Sequence, residues 1–456
     1  MLSSDTRNSF RQGALELWCP SITIRGVLAG KPVEYRGPGL IRQDKRRQLS
    51  FACVQRPPIP MDHLLAAIND PLPVGTLVPD DRYVSLEATD LNGWTWRSDR
   101  ISIDTDSGLA GSRVSGNVYV LEHEDSTSHT SSSMVMEVLA DISLPFNATT
   151  EMTIQSAGHE RTVSRRNIAQ LLVGPFELRF RKEDDSLLVE VSSATDPFPP
   201  HFETRIIESL QFMTGRYLSW GLLETACGGV TKTCLRSPDR NHSSQLSAPV
   251  DYRRNDIGGR WAWPLFGKYL QHIMVFVGDN RFEMHPLSAW LNYIRGSSAG
   301  SIFTRGLALG VAIEGILEAA FPKHGELPAR HAEGIKSMLE HVQTWQGDEK
   351  LRERTMGAIR AMLKPRAKDR LLDLDANRLV RSADIKAWDT VRNRGAHARP
   401  PEREDVQAWI DNCHKAETLL YHLIFGAIGY HGEFTDYSAV NWPQARFPFS
   451  TDHLCL

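Results

Sequence analysis

The sequence predicts a multidomain α+β protein, in which a β-rich antiparallel domain precedes an all-α helical bundle. Three observations indicate this. The chain has 456 residues, more than one ordinary domain needs. Its first half contains many short runs of alternating apolar residues separated by Gly, Pro and Asp, which is typical of a sandwich or barrel-like domain. From about residue 260, apolar residues recur at the three/four spacing of helices.

The change in pattern places the domain boundaries. We assign residues 1–255 to the β-rich domain, 256–284 to a connecting segment, 285–435 to the helical bundle and 436–456 to a tail. The stretch 236–259 is rich in Ser, Asn, Pro and Gly, and is therefore the best candidate for a linker or long loop.

Strand predictions in the first half rest on period-two alternation. The predicted inward-facing residues are Ile22, Ile24 and Val27 in "SITIRGVL", Leu49, Phe51 and Cys53 in "QLSFACVQ", and Val118 with Val120 in "RVSGNVYVLE". The segment "FELRFRKEDDSLLVEV" predicts a hairpin with a polar turn.

Helix predictions in the second half rest on apolar stripes. "IFTRGLALGVAIEGILEAAFP" is strongly apolar and ends at Pro322, while "GIKSMLEHVQTWQ" and "ERTMGAIRAMLKP" are amphipathic. Residues 402–428 carry one wide stripe and begin directly after Pro401, which suits a first helical turn. A bundle of about four or five helices is expected to bury these stripes.

Composition restricts the class of protein. Apolar residues make up 41% and charged residues 23%, the balance of a soluble globular protein. No apolar run approaches the roughly 20 residues of a membrane span, and the first residues lack the layout of a signal peptide. The expectation is a cytoplasmic protein without membrane partners. Six cysteines form neither a disulfide framework nor a zinc pattern, so no metal or cofactor is expected.

The stretch "WDTVRNRGAHARPPERED", residues 388–405, carries the candidate chemistry. A helix from near Ser382 would end before Pro400, with His397 in its last turn. At about 100° per residue, Asn393 and His397 lie roughly 40° apart, so the amide can orient the imidazole. Arg392 and His397 lie about 140° apart, too far to reach one atom from a single straight helix.

Two copies of this helix across a two-fold axis would bring Arg392 and His397 of both chains around one cleft. Such a cleft suits RNA cleavage without a metal. His397 would take the proton of the ribose 2′-OH or protonate the leaving 5′-oxygen. Arg392 would neutralise the charge that grows on the phosphate oxygens.

Local charge favours a nucleic-acid partner. Residues 350–404 contain 15 Lys and Arg against 8 Asp and Glu, a local charge of +7 in a chain of net charge −3. Arg394 and Arg399 flank His397 and are candidates for holding phosphate. The alternative is a solvated helix end, because basic residues favour helix C-termini without any function.

At these residues the chain resembles the HEPN superfamily of helical ribonucleases, whose signature is Arg, usually Asn, and then His after about three residues. Here those positions are Arg392, Asn393 and His397 in "RNRGAH". Upstream, "LALGVAIEGILEAAF" resembles the early helix of the ApeA-like subgroup, in which an acidic residue, here Glu314, faces the site. The resemblance covers residues 285–432, and is only architectural over roughly 1–255.

The resemblance implies a metal-independent endoribonuclease with a homodimeric composite site and products ending in a 2′,3′-cyclic phosphate. It implies cellular RNA as the substrate, with transfer RNA as one candidate, in anti-phage abortive infection. The N-terminal domain would hold the nuclease inactive until a phage-derived trigger arrives. Two alternatives stay open: a non-catalytic dimer that binds RNA or protein as a scaffold, and a structural dimer. Glu314 could also simply pair with a basic neighbour.

Other histidines are weaker candidates. His324 with His331 and the loop around His123 lack the pattern of ligands that completes a metal site. His414 and His422, eight residues apart on the last long helix, are expected at the surface or a dimer interface.

Overall fold

The computed structural model describes the whole chain except residues 1, 29, 57, 60–75, 77, 109, 127–130, 157–158, 196, 239–244, 255, 257, 279–283, 299, 397–404 and 450–456. The chain divides into two compact units, Met1–Pro200 with Leu218–Asn241, and His201–Tyr217 with His242–Leu456. The domain boundary expected at residue 255 did not foresee this interleaving. Residues 201–217 belong to the second unit, although the next segment, residues 218–241, returns to the first.

In the residues that the structure describes, the first unit contains an α-helix, a short 3-10 turn at Asp80–Arg82 and a large antiparallel sheet. Its elements are α1 (Ser4–Arg11), β1 (Glu16–Leu28), β2 (Lys31–Gln43), β3 (Leu49–Gln55), β4 (Val84–Thr89), β5 (Thr95–Ile101), β6 (Ile103–Gly108), β7 (Gly111–Val118), β8 (Val120–Ser126), β9 (Ser132–Val138), β10 (Ala148–Ser156), β11 (His159–Val173), β12 (Phe176–Lys182), β13 (Leu187–Ser193), β14 (Trp220–Cys227) and β15 (Val230–Arg236).

Hydrogen-bonded neighbours in this sheet follow the order β10-β11-β12-β13-β9-β14-β15-β8-β5-β4-β1-β2-β3-β7-β6. The junction between β5 and β8 is a single pairing of Arg97 with Glu122, whereas the other neighbours pair over several residues. The antiparallel β-rich half that alternation predicted is therefore present. The "FELRFRKEDDSLLVEV" hairpin is confirmed, because β12 pairs with β13 with Leu178 opposite Val191.

Alternation identified most, but not all, of the inward-facing residues. Ile22 and Ile24 are fully buried, and so is the Leu49–Phe51–Cys53 row. Val27 is 41% exposed, so its predicted inward position is wrong. The inward position predicted for Val120 is also wrong. The chain passes from β7 to β8 at Tyr119, and Leu121 faces the core instead. A change of strand resets the alternation, and the sequence pattern alone does not show where this occurs.

The second unit is mainly helical. Its elements are α2 (Phe202–Thr214), α3 (Ala262–Ile273), α4 (Pro286–Ser298), α5 (Ile302–Ala320), α6 (Ala329–Thr344), α7 (Glu349–Ala361), α8 (Ala367–Ala376), α9 (Ser382–Ala396), α10 (Val406–Ile428), β16 (Gly432–Thr435) and β17 (Gln444–Phe447). The last two strands form an antiparallel hairpin, so part of the segment expected to be a tail is ordered as a strand.

Helices α5, α9 and α10 pack against one another and form the centre of the bundle. Helix α5 begins with a capping box, in which Ser301 accepts the backbone N–H of Thr304 at 3.2 Å. In the apolar stripe of α10, Trp409, Cys413, Leu420, Leu423 and Ile424 are buried, whereas Val406, Ile410 and Ala427 are only partly buried. Ile385, Trp388 and Val391 of α9, whose three-residue spacing predicts that they face inward, are buried, and so are Leu309 and Ile313 of α5. Helix α10 ends at Gly429, whose φ of 63° is the left-handed conformation common after a helix.

Two amphipathic helices do not join this core. Helix α6 has no buried residue, and α7 buries only Ile359. The expectation that the bundle would bury their stripes is therefore wrong. These helices pack mainly against each other, and Met338 and Trp345 remain 49% and 45% exposed. None of the described helices is long and apolar enough to span a membrane.

Candidate active site

Helix α9 carries the candidate residues at its C-terminal end. Ile385, Trp388 and Val391 anchor its inner face, as their spacing predicted. The Trp388 Nε1–H donates to the carbonyl of Gly310 on α5 at 3.3 Å, which fixes the helix pair at this level. Arg392 follows Val391 and is exposed, so α9 presents its arginine at the boundary between the core and solvent.

Arg392 contacts α5 at two points. Its Nε donates to Oε1 of Glu314 at 2.8 Å. Its backbone approaches Gly310 closely, since a Cβ on that glycine would lie 3.2 Å from the Cβ and 3.3 Å from the Cα of Arg392. The side chains of Arg392 and Glu314 are 44% and 36% exposed. The pair is thus held at one end while part of the guanidinium faces solvent.

Asn393 lies in a second chain of contacts beside Arg392. Its Oδ1 accepts a hydrogen bond from Nη1 of Arg392 at 3.2 Å. Its Nδ2 donates to Asp389 at 3.0 Å, and Lys368 of α8 donates to the other oxygen of Asp389 at 2.8 Å. This network fixes the amide of Asn393 and joins α8 to the candidate site.

Arg394, expected to hold phosphate, pairs with Asp405 at 3.5 Å. Both side chains are about half exposed, at 44% and 51%. An exposed pair of this kind contributes under about 1 kcal/mol, so a phosphate can compete with Asp405 for the arginine.

His397 and Arg399 lie outside the described residues, so the structure places neither of them. It describes α9 up to Ala396 and the chain again from Asp405. The proposed orientation of His397 by Asn393 therefore stays a prediction. Among the predicted site residues, the structure brings together Arg392, Asn393 and Glu314, while Arg394 lies on the same helix with a different partner.

Sequence reasoning missed three contributors: Gly310, Lys368 and Asp389. Asp389 stands four residues before Asn393 on one helix, a spacing that predicts contact and was readable from the sequence. Lys368 and Gly310 belong to other helices, and no local pattern connects either of them to residue 392.

The weaker histidine candidates have ordinary partners. His324 contacts Asp373 at 2.7 Å, and this hydrogen bond lowers the pKa of the Asp373 carboxyl. His123 stacks on Trp94 with ring centroids 4.4 Å apart. Within the described part of the chain, no three His, Cys, Asp or Glu side chains are grouped as a metal site would require.

His422 is fully buried, so the expectation of a surface or interface histidine is wrong for it. The rings around it are Phe425, Phe434, Phe447 and Phe449. Burial lowers the pKa of His422 from its ordinary 6.5 to about 3. His414, in contrast, keeps 30% of its side chain exposed.

Comparison with known proteins gives no relative on which an assignment can rest. No family model matches the chain, and no curated protein matches it. Among solved structures, the inhibitor of motility MotI/DgrA of Bacillus subtilis matches with a TM-score of 0.14 and 8% identity, covering 40% of this chain and 89% of that chain. A likeness at this level carries no argument about fold or function.

Proposed function

We propose that this chain is a metal-independent endoribonuclease of the HEPN type, with a sandwich- or barrel-like N-terminal domain ahead of the HEPN bundle. One observation supports it most: Glu314, identified only through the family resemblance, contacts Arg392 at 2.8 Å although 78 residues separate them. An ion pair alone does not require a nuclease. The contact does, however, bring the acidic Glu314 next to Arg392, whose partly exposed guanidinium also contacts the amide of Asn393. Arg392 and Asn393 are close to His397 in the sequence.

In the proposed reaction, His397 removes the proton of a ribose 2′-OH, and the 2′-oxygen attacks the adjacent phosphorus. The bond from phosphorus to the 5′-oxygen breaks, and a protonated imidazole returns a proton to that leaving oxygen. The products are a 2′,3′-cyclic phosphate and a 5′-OH. Arg392 stabilises the extra negative charge of the transition state, while Glu314 and Asn393 position its guanidinium.

A homodimer supplies the second arginine and histidine in this proposal. Helix α5 exposes an apolar row beside the site, with Phe303, Leu307 and Val311 each 37–38% exposed and spaced four residues apart. Glu314 continues the same helix face three residues further on. A second copy packing on this row would cover apolar surface and bring two copies of the Arg392 region together.

The cellular role extends the same proposal. Cellular RNA, with transfer RNA as one candidate, is the substrate in a cytoplasmic anti-phage abortive-infection response. The N-terminal domain restrains the nuclease until a phage-derived trigger acts on it. This regulatory step rests on analogy with the family and not on a contact in the chain.

A non-catalytic scaffold is the second candidate, favoured by one observation. Arg392 and Arg394 both already have carboxylate partners, Glu314 and Asp405, as structural arginines do. In that case Arg392→Ala weakens RNA or protein binding, while His397→Ala changes little.

The test uses the purified full chain with total cellular RNA and excess EDTA. We compare the wild type with His397→Ala, Arg392→Ala and, as a matched control, the exposed Lys386→Ala on the same helix. If the purified chain escapes the restraint of its N-terminal domain, the proposed nuclease cleaves RNA as the wild type and as the control variant. Loss of Arg392 should cost about 10²–10³ in rate, and loss of His397 about 10²–10⁴.

The ends of the products identify the chemistry. A cyclic phosphate resists phosphatase until acid opens it to a monoester. Cleavage that persists in His397→Ala, or that requires a divalent cation, refutes the proposed mechanism. If the purified chain does not cleave, the same variants are expressed in phage-infected cells, where intact RNA with every variant would favour the scaffold.

A further inference from the structure

A strongly basic surface lies on helix α7, the turn after it and the start of α8. Residues 350–370 contain eight Lys and Arg against two Asp and Glu. We call this segment the basic ridge. Six of its cations are exposed: Lys350, Arg354, Arg360, Lys364, Arg366 and Lys368. Positive charge at this density favours a polyanionic partner.

Four of the six exposed cations of the ridge lack, among the described residues, an acidic partner of the kind that the arginines of the candidate site have. Lys350, Arg354, Arg360 and Lys364 form no ion pair with any carboxylate that the structure describes. The arginines of α9 and α5, in contrast, are neutralised by acids, as Arg392 is by Glu314 and Arg305 by Glu417. Within residues 350–364, the ridge therefore carries four exposed cations without a described carboxylate partner.

The groove beside the ridge, between α6 and α8, has a cavity volume of about 800 Å³ and is not the source of this charge. Its basic residues Lys323, Arg330 and Arg366 are matched by the acidic Glu326, Asp369 and Asp373. The outward face of α7 has no such balance, and between its cations it carries the small exposed residues Gly357, Ala358 and Ala361. A bulky partner can therefore approach the helix backbone closely.

The ridge fits a phosphate backbone better than unpaired bases. Single-stranded RNA is recognised mainly by stacking of bases on aromatic rings, and helical RNA mainly by contacts to phosphate and 2′-OH groups. No Phe, Tyr or Trp occurs between residues 350 and 370. Lys350 and Arg354 stand four residues apart on one face of α7, about 6 Å apart along its axis, while Arg360 projects about 80° away from Lys350. Cations held on a rigid helix keep a fixed spacing against the regular phosphates of an RNA stem.

The ridge also connects to the candidate site. Lys368 of α8 donates to Asp389 at 2.8 Å, and Asp389 accepts from Asn393 at 3.0 Å. Two side-chain contacts thus lead from the end of the ridge to the neighbour of Arg392. Lys368 therefore places one end of the ridge next to the candidate site.

We propose that the basic ridge binds the stem of a structured RNA through its phosphate backbone and delivers an adjoining unpaired segment to Arg392. This inference rests on the proposed ribonuclease function and adds its substrate class, a folded RNA in place of an unstructured strand. The ridge discriminates by shape and charge and carries no sequence preference of its own.

Binding is measured by fluorescence anisotropy with the full chain. The probes are a hairpin of about 16 base pairs, the length that double-stranded RNA domains span, and an unstructured oligouridylate of equal length. Both carry 2′-O-methyl riboses, which cannot attack the phosphorus, so binding is read whether or not the chain cleaves RNA. The ridge variant is Lys350→Gln/Arg354→Gln/Lys364→Gln. The matched control removes three exposed cations elsewhere in the same unit, Arg253→Gln/Lys268→Gln/Arg446→Gln.

The ridge variant should bind the hairpin about 10- to 100-fold more weakly. The slope of log affinity against log salt should become shallower by about 2–3, because each lost phosphate contact removes about 0.7–0.9. Affinity for oligouridylate should change less, and the control should match the wild type. A ridge variant that binds the hairpin like the wild type overturns the inference. So does one that alters the sedimentation coefficient but not RNA affinity, which would assign the ridge to a protein contact.

Cleavage of unmodified RNA separates the two proposals. If the wild type cleaves and the ridge variant cleaves the hairpin with unchanged KM, the ribonuclease stands and the ridge inference fails. If no variant cleaves, either as purified protein or in phage-infected cells, but the ridge variant still loses hairpin affinity, the proposed function fails and the RNA-binding ridge stands.

Discussion

Replacing Gly310 by alanine tests whether the distance between α5 and α9 controls the candidate site. The added methyl group would lie 3.2 Å from the Cβ and 3.3 Å from the Cα of Arg392. Both contacts are closer than ordinary van der Waals packing, and one involves backbone, so α9 must move by a few tenths of an ångström. Since a misplacement of 1 Å can cost about 10² in rate, this shift predicts cleavage slower by about 4- to 10-fold.

Stability should change less than activity. Alanine gains about 0.5–1 kcal/mol over glycine within a helix, and overpacking costs about 1–3 kcal/mol. The expected net loss is about 0.5–2 kcal/mol of unfolding free energy, or a few degrees in Tm. Thermal unfolding followed by circular dichroism and a single-turnover cleavage assay measure the two effects separately.

Two further glycines provide the controls. Gly334→Ala on α6 meets no atom within 4 Å and should leave cleavage unchanged. Gly306→Ala places a Cβ 2.7 Å from the Trp409 ring and 3.0 Å from Val391, so it should lower Tm more than Gly310→Ala does. Equal activity of Gly310→Ala and Gly334→Ala would refute the reasoning. So would a larger activity loss in Gly306→Ala, because activity would then follow stability and not the position of Arg392.

Two other substitutions separate positioning from folding. Glu314→Ala should slow cleavage about tenfold, since it frees Arg392, whereas Glu314→Gln, which keeps the hydrogen-bond acceptor, should restore most of the rate. His422→Leu should make the protein less sensitive to acid. The folded wild type does not protonate His422 until about pH 3, while the unfolded chain does so near 6.5. The contribution of neutral His422 to the free energy of unfolding is thus complete above about pH 6.5 and is lost as the pH falls. Between pH 7.5 and 5.0 the wild type should lose about 2 kcal/mol more than the variant.

Each of these two predictions has its own contradicting outcome. A Glu314→Ala protein that cleaves at the wild-type rate shows that the acid does not position Arg392. The His422 comparison uses the difference between two proteins because Asp384, 3.9 Å from His422, has its own pKa raised to about 6 by burial. Arg381 and Asp436 also lie in this cluster and are common to both proteins. Parallel pH–stability curves for wild type and variant, from urea titrations, would exclude the buried histidine as the source.

The helices that meet the core were largely predictable from the sequence, because an apolar stripe and its buried face are the same property. Ile385, Trp388 and Val391 illustrate this on α9. The amphipathic stripes of α6 and α7 are similar in sequence but stay mostly uncovered. A stripe shows which face of a helix is apolar; it does not show whether the fold supplies a partner.

The site was predictable only in part, for a related reason. Asn393 and Arg392 are neighbours in sequence, and Asp389 stands one helical turn before Asn393, so local geometry relates these three. The contacts of Glu314, Gly310 and Lys368 depend on how separate helices pack. Glu314 was named through a family resemblance, and a glycine in an apolar helix gives no local sign that it admits another backbone.

Two ion pairs join α5 to its neighbouring helices, Arg305–Glu417 and Glu314–Arg392. They differ in burial, and this difference indicates which pair is structural. Glu417 is fully buried and accepts from Arg305 at 2.6 Å and from the backbone of Ser247 at 2.9 Å. Removing one partner of such a buried pair typically costs about 3–5 kcal/mol.

Arg392 and Glu314 are both more than a third exposed, and such a pair contributes under about 1 kcal/mol. The α5–α9 contact therefore does not depend on it, because Trp388, Val391 and the close approach at Gly310 already hold those helices together. A pair with so little effect on folding leaves its guanidinium free to exchange a carboxylate for a phosphate. This property favours Arg392 over Arg305 as the arginine of the proposed phosphodiester chemistry.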